Sequence, residues 1–568
     1  MSAQTHVALG KGPNEYTIDP KGYRHLVRRF RRFTPLALLA SMLLVTAGCA
    51  ASPSPGGTPQ KPNDSLALLT AALPDTLNPL AGFDNNGTGK INESLFTLEG
   101  ASDQLPRIIP LLAAAEPKIS TDAKAWEIKL RPGISFSDGT AFDAQDVVAS
   151  YQTIMEPASA SPIAGVLSNL ASVRALDKHT VEFTLREAQV SFKTALLIGI
   201  APSEALEQTV LVEDSVLNRS PVGTGPYLLD SFTPSRLVLK ANPNYRDGEV
   251  ALKRVVYEEA ADDNSRAQRM LTGDFDGTVL PPRLAASFSA HGDFEQVRAT
   301  SADWRGLSLP ADHPLTSDPA VRLALNLGVD RQALVDGVLA GAGRPASTFV
   351  PAAYGNAYEP TALFPHDPQR ATELLEDAGW MMGEDSVRSK DGVRASFTLM
   401  YNPGDTLRRD LSLAFSAQMK ELGVAVSVES ATFDQAEPRI GTDALMLGGG
   451  DTPYDVDTQL YKMLHSAYPA AGSYYDNPSH FADPEMDAAL DLGRTTLDPD
   501  ARDRAYRQVQ SLYVSEPSMV VLAFVDHTYV QQASTAQQWK GTGTLLEPHD
   551  HGTAWGPWVK PGQWVRNQ

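Results

Sequence analysis

From Leu66 onward, short strand-like runs alternate with amphipathic helices whose starts are written as Asp or Asp-Pro. An N-cap Asp accepts hydrogen bonds from the first free backbone N–H groups of a helix, and a Pro just after it sacrifices no bond. Asp143 precedes AQDVVASYQTIM, in which Val147, Val148, Tyr151, Ile154 and Met155 share one face. Asp318-Pro319, Asp367-Pro368 and Asp498-Pro499 open three more helices, and Asp330 opens RQALVDGVLAG with Gly341 past its end. Between them, LALLTAAL (66–73), WEIKL (126–130), TVEFTL (180–185), RLVLKAN (236–242) and RVVYEEA (254–260) carry strand patterns. The pattern predicts an α/β chain without a fixed-period repeat. At 568 residues it has room for roughly three to four domain-sized units.

The formal net charge of −20 excludes a nucleic-acid partner, because no basic stripe follows residue 33. The only cysteine is Cys49, so no intrachain disulfide and no cysteine metal cage can form. Its surroundings explain it. RHLVRRFRRF (24–33) carries five arginines, PLALLASMLLV (35–45) is apolar, and the small residues Ala47-Gly48 lead into the cysteine. The apolar run is too short to span a bilayer, which needs about 20 residues, and has the layout of a secretory signal. It resembles the lipobox of bacterial lipoproteins, which implies lipidation of Cys49; an ordinary signal peptide is the alternative. The Pro-, Gly- and Ser-rich stretch 51–65 reads as a flexible tether. The expectation is a signal at 1–48, a tether at 49–65, and a protein held by its lipid on the extracytoplasmic face of the cell membrane.

WEIKLRPGISFSDGTAFDAQDVVASY (126–151) joins a strand, a turn at Ser137-Asp138-Gly139 and the helix started by Asp143. This block resembles the family 5 extracellular solute-binding proteins, the receptors of ABC importers. PVGTGPYLL (221–229), LKANPNYRDG (239–248), RAQRMLTGDFDG (266–277), 318–346, 367–380 and 481–510 are similar to further blocks of that family, in its order. The resemblance implies an α/β, two-lobed, periplasmic-binding-protein-like fold of type II, with a discontinuous first lobe and an extra subdomain near 90–220. The expected division is 66–306 and 524–568 for the first lobe and 307–523 for the second. It also implies a monomer that is not an enzyme, needs no cofactor, binds a small peptide or a metal chelate, and docks on ABC permease subunits.

LMLGGGDTPYDVDTQLYKML (445–464) is the stretch most informative about specificity. In peptide-binding members an aspartate of the corresponding loop pairs with the peptide's α-amino group, and Asp451 matches it. Tyr454, in TPYDVD, matches a pocket tyrosine of the nickel and metallophore branch. That branch carries a tryptophan where Gly450 stands, and its pocket histidine is matched only roughly by His465. Trp304 and Arg305 lie near the expected first crossing, and Tyr401 at a strand end facing the cleft. His549-Asp550-His551 supplies too few ligands for a defined metal site. A secreted hydrolase is the rival class, but no G-x-S-x-G, H-E-x-x-H or Walker sequence is present, and LGGGDT lacks the Lys-Ser/Thr of a phosphate loop.

Overall fold

Strand Ser65–Thr70 buries Leu66, Leu68 and Leu69, as a strand covered on both faces requires. It pairs in parallel with Arg254–Glu259 on one side and Gly277–Val279 on the other. These three are the middle of a seven-stranded sheet. Arg236–Ala241 and Tyr227–Thr233 extend it one way by antiparallel pairing; His527–Gln532 and Phe294–Ala299 extend it the other. The computed structural model describes residues 63–206, 211–449, 454–468, 474–549 and 552–567. Cys49, the signal expected at 1–48, Gly450, Asp451, Asp550 and His551 lie outside the described residues. Among the described residues no helix is long and apolar enough to cross a membrane.

A second sheet has six strands, in the order Gly343–Pro345, Met519–Val525, Trp304–Ser308, Ala444–Gly448, Ser396–Tyr401 and Ala425–Ser430. The chain leaves the first sheet after Ala299 and enters the second at Trp304. It returns at Asp526, the single residue between Met519–Val525 and His527–Gln532. The two crossings are tied together. Val525 N–H donates to Asp303 O (2.8 Å), and Arg344 Nη2 donates to Ser301 O (2.7 Å). The molecule is thus a two-lobed α/β fold, each lobe built on one sheet.

A four-stranded antiparallel sheet forms a third core, from Lys118–Ile119, Ala125–Lys129, Thr180–Leu185 and Leu170–Asp177. Helix Ala144–Met155 packs Val147, Tyr151 and Ile154 onto it, with the Tyr151 ring edge-on to Phe183 at 4.9 Å. The helix starts where its cap predicts. Asp143 accepts from Gln145 N–H, and Asp146 returns the bond by accepting from Asp143 N–H. Gly139 in the preceding turn has φ +94°, the conformation that needs glycine.

The Asp-Pro starts behave alike. Asp318, Asp367 and Asp498 cap helices Pro319–Gly328, Pro368–Asp377 and Pro499–Ser515. The helix capped by Asp330 is shorter than its apolar pattern, ending at Gly337 rather than reaching Gly341. Glycine is the poorest helix former after proline, so the last turn unwinds there.

Candidate functional site

A cleft with a volume of about 870 Å³ is lined from both sheets and from the crossing between them. The first lobe contributes Asp84 and Lys90 from the stretch after its first strand, Tyr257 from Arg254–Glu259, and Arg266 from helix Asp263–Met270. The second contributes Arg305 and the N-cap Asp405 of helix Thr406–Glu421. Asp526 and His527 close the cleft at the crossing. The volume lies within the roughly 300–1,000 Å³ usual for small-solute sites.

Both signs of charge face this space. Arg266 is held rigidly: it pairs with Asp263 and donates to the carbonyls of Ala260 (2.8 Å) and Ala261 (2.9 Å). Burial raises the Asp263 carboxyl, Arg266 opposes that shift, and Asp405 from the facing lobe adds to it. Burial likewise raises the Asp84 carboxyl, against the pull of Lys90, and lowers the Lys90 ammonium.

At the crossing, reaching the cleft through Arg305 and His527, lies a buried charge cluster. Arg305 pairs with Asp303 and donates to Trp304 O at 3.0 Å. His527 sits between Asp303 Oδ2 (2.9 Å) and the Glu547 carboxylate, which also accepts from Tyr529 Oη (2.8 Å) and Gly556 N–H (3.0 Å). Burial alone would raise the Asp303 carboxyl, but Arg305, His527 and His549 outweigh it and hold it well below the usual carboxylate range.

Arg305 lines the cleft, and Trp304 does not. The Trp304 indole packs edge-on against Phe349 at 4.9 Å inside the second lobe. Tyr401 ends strand Ser396–Tyr401, half-buried against the same core and away from the cleft lining. Tyr454 stands one layer back from the cleft. It stacks on Trp555, a lining residue, at 6.1 Å and 14°. Although it follows a second-lobe strand, Tyr454 is buried in the third core, with φ +80°. His465 caps the end of helix Val456–Leu464, stacked on Tyr461 at 4.5 Å and near Asp491 at 3.4 Å, and takes no part in the cleft. Among the described residues no group of three or more His, Cys, Asp or Glu could hold a metal ion.

Gly448 and Gly449 have a packing role. A Cβ on Gly448 would lie 2.5 Å from Arg305 Nη1, and one on Gly449, at φ +71°, would lie 2.2 Å from His549 Nδ1. They let the second-lobe strand end approach the buried charge cluster. Gly449→Ala is expected to cost about 1–3 kcal/mol through backbone strain and overpacking, read by denaturant unfolding. Asp84, Lys90, Tyr257 and Arg266 escape a reading of the sequence. For Asp84 and Lys90 the one local signal is the Gly- and Asn-rich run GFDNNGTGK (82–90), which follows the first strand after residues 71–81.

Comparison with known proteins defines the class to which this fold and cleft belong. Residues 107–470 match "Bacterial extracellular solute-binding proteins, family 5 Middle". The chain is a member of the family 5 extracellular solute-binding proteins. Among individual proteins, it is 38% identical to Protein XP55 of Streptomyces lividans, over 92% of this chain and 94% of that one. The nickel-binding periplasmic protein of Escherichia coli is 27% identical, over 75% and 82%. Two solved structures share the fold over 89% of this chain. NikZ from Campylobacter jejuni with Ni(L-His) has a TM-score of 0.77, 24% identity and 100% of its own chain covered. AppA from Bacillus subtilis with a nonapeptide has a TM-score of 0.72, 20% identity and 99% covered.

Proposed function

We propose that this protein is the solute receptor of an ABC importer and captures oligopeptides between its two lobes. The observation that carries the reading is the cleft itself: about 870 Å³, lined from both lobes, with fixed groups of both signs. A solute with an ammonium at one end and a carboxylate at the other is complementary to such a wall. Contact with both lobes favours the closed state, so capture and closure are one event. Loaded, the receptor docks on a permease. Cys49 carries the lipid that keeps it at the outer face of the cytoplasmic membrane, and Asp451 receives the peptide's α-amino group, with Tyr454 behind the pocket wall. No chemical step occurs in this chain.

The second reading is a receptor for nickel or another metal chelate, favoured by the likeness to the nickel-binding periplasmic protein and to NikZ with Ni(L-His). Isothermal titration of the purified protein with a di- to pentapeptide pool, then with nickel and excess histidine, separates the two. Heat with peptides alone is expected; heat with the chelate alone overturns the peptide reading. Asp451→Ala is expected to weaken peptide binding by about 1–3 kcal/mol, the penalty of an unpaired ammonium. Unchanged affinity in that variant would remove Asp451 from the site.

A further inference from the structure

Lys90 is 4% exposed and lines the cleft. Its ammonium has three N–H donors. Among the described residues one of them is used, on Ala554 O at 3.0 Å; the Asp84 charge acts on the ammonium without reaching it as an ion pair. Tyr257, 6% exposed, lines the same cleft, and among the described residues its hydroxyl has no hydrogen-bond partner. Buried polar groups are almost always hydrogen-bonded, so two incompletely used donors on one cavity wall call for an acceptor. An ammonium and a phenol hydroxyl together suit an anionic oxygen pair.

The stretch that carries Lys90 is anchored from outside the cleft. Tyr227 N–H donates to Lys90 O (3.0 Å), and Gly225 N–H donates to Ile91 O (2.8 Å). At Gly223 and Gly225 a Cβ would collide with the Ile91 carbonyl, so those glycines allow the close approach. Asp84 is the neighbouring charge on this wall. It accepts from Lys90 N–H at 3.2 Å, and its negative charge acts on both Lys90 and Tyr257.

We infer that Lys90 and Tyr257 form a subsite for a carboxylate of the solute, with Asp84 placed beside it to disfavour solutes that bring a second negative charge. This deepens the oligopeptide reading and rests on it for the identity of the solute. Burial alone depresses the Lys90 ammonium, and an incoming carboxylate reverses that, so binding is accompanied by proton uptake in alkaline buffer.

The test compares tri-alanine with tri-alanine amide by calorimetry in wild type, Lys90→Met, Tyr257→Phe and Asp84→Asn. Thermal melts in acetate and in chloride at equal ionic strength accompany it. The expected result is that wild type prefers the acid, and that Lys90→Met loses about tenfold or more for the acid, with the amide unchanged. Tyr257→Phe shows a smaller loss of the same kind. Asp84→Asn, which suits the left-handed backbone at that position (φ +52°), binds the acid more tightly. If wild type binds neither peptide but acetate raises its melting midpoint and not that of Lys90→Met, the oligopeptide reading fails and the subsite stands. Equal binding of acid and amide, or stabilisation by acetate that survives Lys90→Met, overturns the subsite.

Discussion

Asp457→Ala lowers the stability of the folded protein by about 3–5 kcal/mol, measured by denaturant unfolding, the usual result of removing one partner from a buried ion pair. The Asp457 side chain is wholly buried at the first turn of helix Val456–Leu464. It accepts from Arg494 through Nε (3.0 Å) and Nη2 (3.0 Å), and from Ser191 Oγ at 2.5 Å. Arg494 belongs to helix Pro484–Thr495 and lies over the Tyr461 ring. The pair therefore joins two helices of the second lobe, while Ser191 joins them to the third core. Leu105 N–H donating to Ala353 O (3.0 Å) and the Tyr454–Trp555 stack bridge the same boundary. Two companion variants separate the causes. Ser191→Ala removes the bridging bond, together with the one Ser191 Oγ accepts from Gln189 Nε2 (3.0 Å), and costs about 1–2 kcal/mol. Adding Arg494→Met to Asp457→Ala recovers part of the loss, because an apolar pair strands no buried charge. A single variant as stable as wild type would show that the pair adds nothing.

Asp303→Ala is the second large effect, again about 3–5 kcal/mol, because this carboxylate is shared by Arg305 and His527 inside the crossing. It also carries a pH signature. The folded-state carboxyl is held below its ordinary value, so its contribution is fully present above the ordinary value of about 3.9 and is lost as pH falls through the lower, folded one. Wild type should lose stability more steeply than Asp303→Asn on acidification below that ordinary value. Parallel curves would remove Asp303 as the cause. Because the cluster spans both crossings, the variant should also weaken solute binding, although Asp303 does not line the cleft.

How far the sequence reveals this molecule depends on how local each interaction is. Asp143, Asp318, Asp367 and Asp498 are legible as helix starts because an N-cap bond closes within three residues. Thr180–Leu185 is legible because alternate burial is the period of a strand with one face inward. The site is harder. Trp304 and Arg305 are equally plausible at the crossing from sequence, yet neighbours on a strand face opposite ways, so when Arg305 turns to the cleft Trp304 turns to Phe349. Lys90 and Tyr257 meet on one wall only because Arg254–Glu259 pairs with the first strand, a register no local pattern specifies. Tyr454 carries a recognisable motif, but its burial against Trp555 depends on where the C-terminal segment returns.

That return also sets a timetable. His527–Gln532 is inserted between Phe294–Ala299 and Gly277–Val279, strands made more than two hundred residues earlier. The six strands of the second sheet, by contrast, are contiguous in the chain from Trp304 to Val525. In a polypeptide emerging from its N-terminus, the later-made lobe is therefore the first that can be completed. The earlier-made one waits with an unfilled slot and unpaired strand edges, the kind that invite association with other chains. Because Asp526 and His527 also close the cleft, no solute can be enclosed before the chain has been made past residue 527. Chains interrupted ahead of residue 526 should be ligand-blind and prone to aggregate, so that capture begins only once the returning strand is in place.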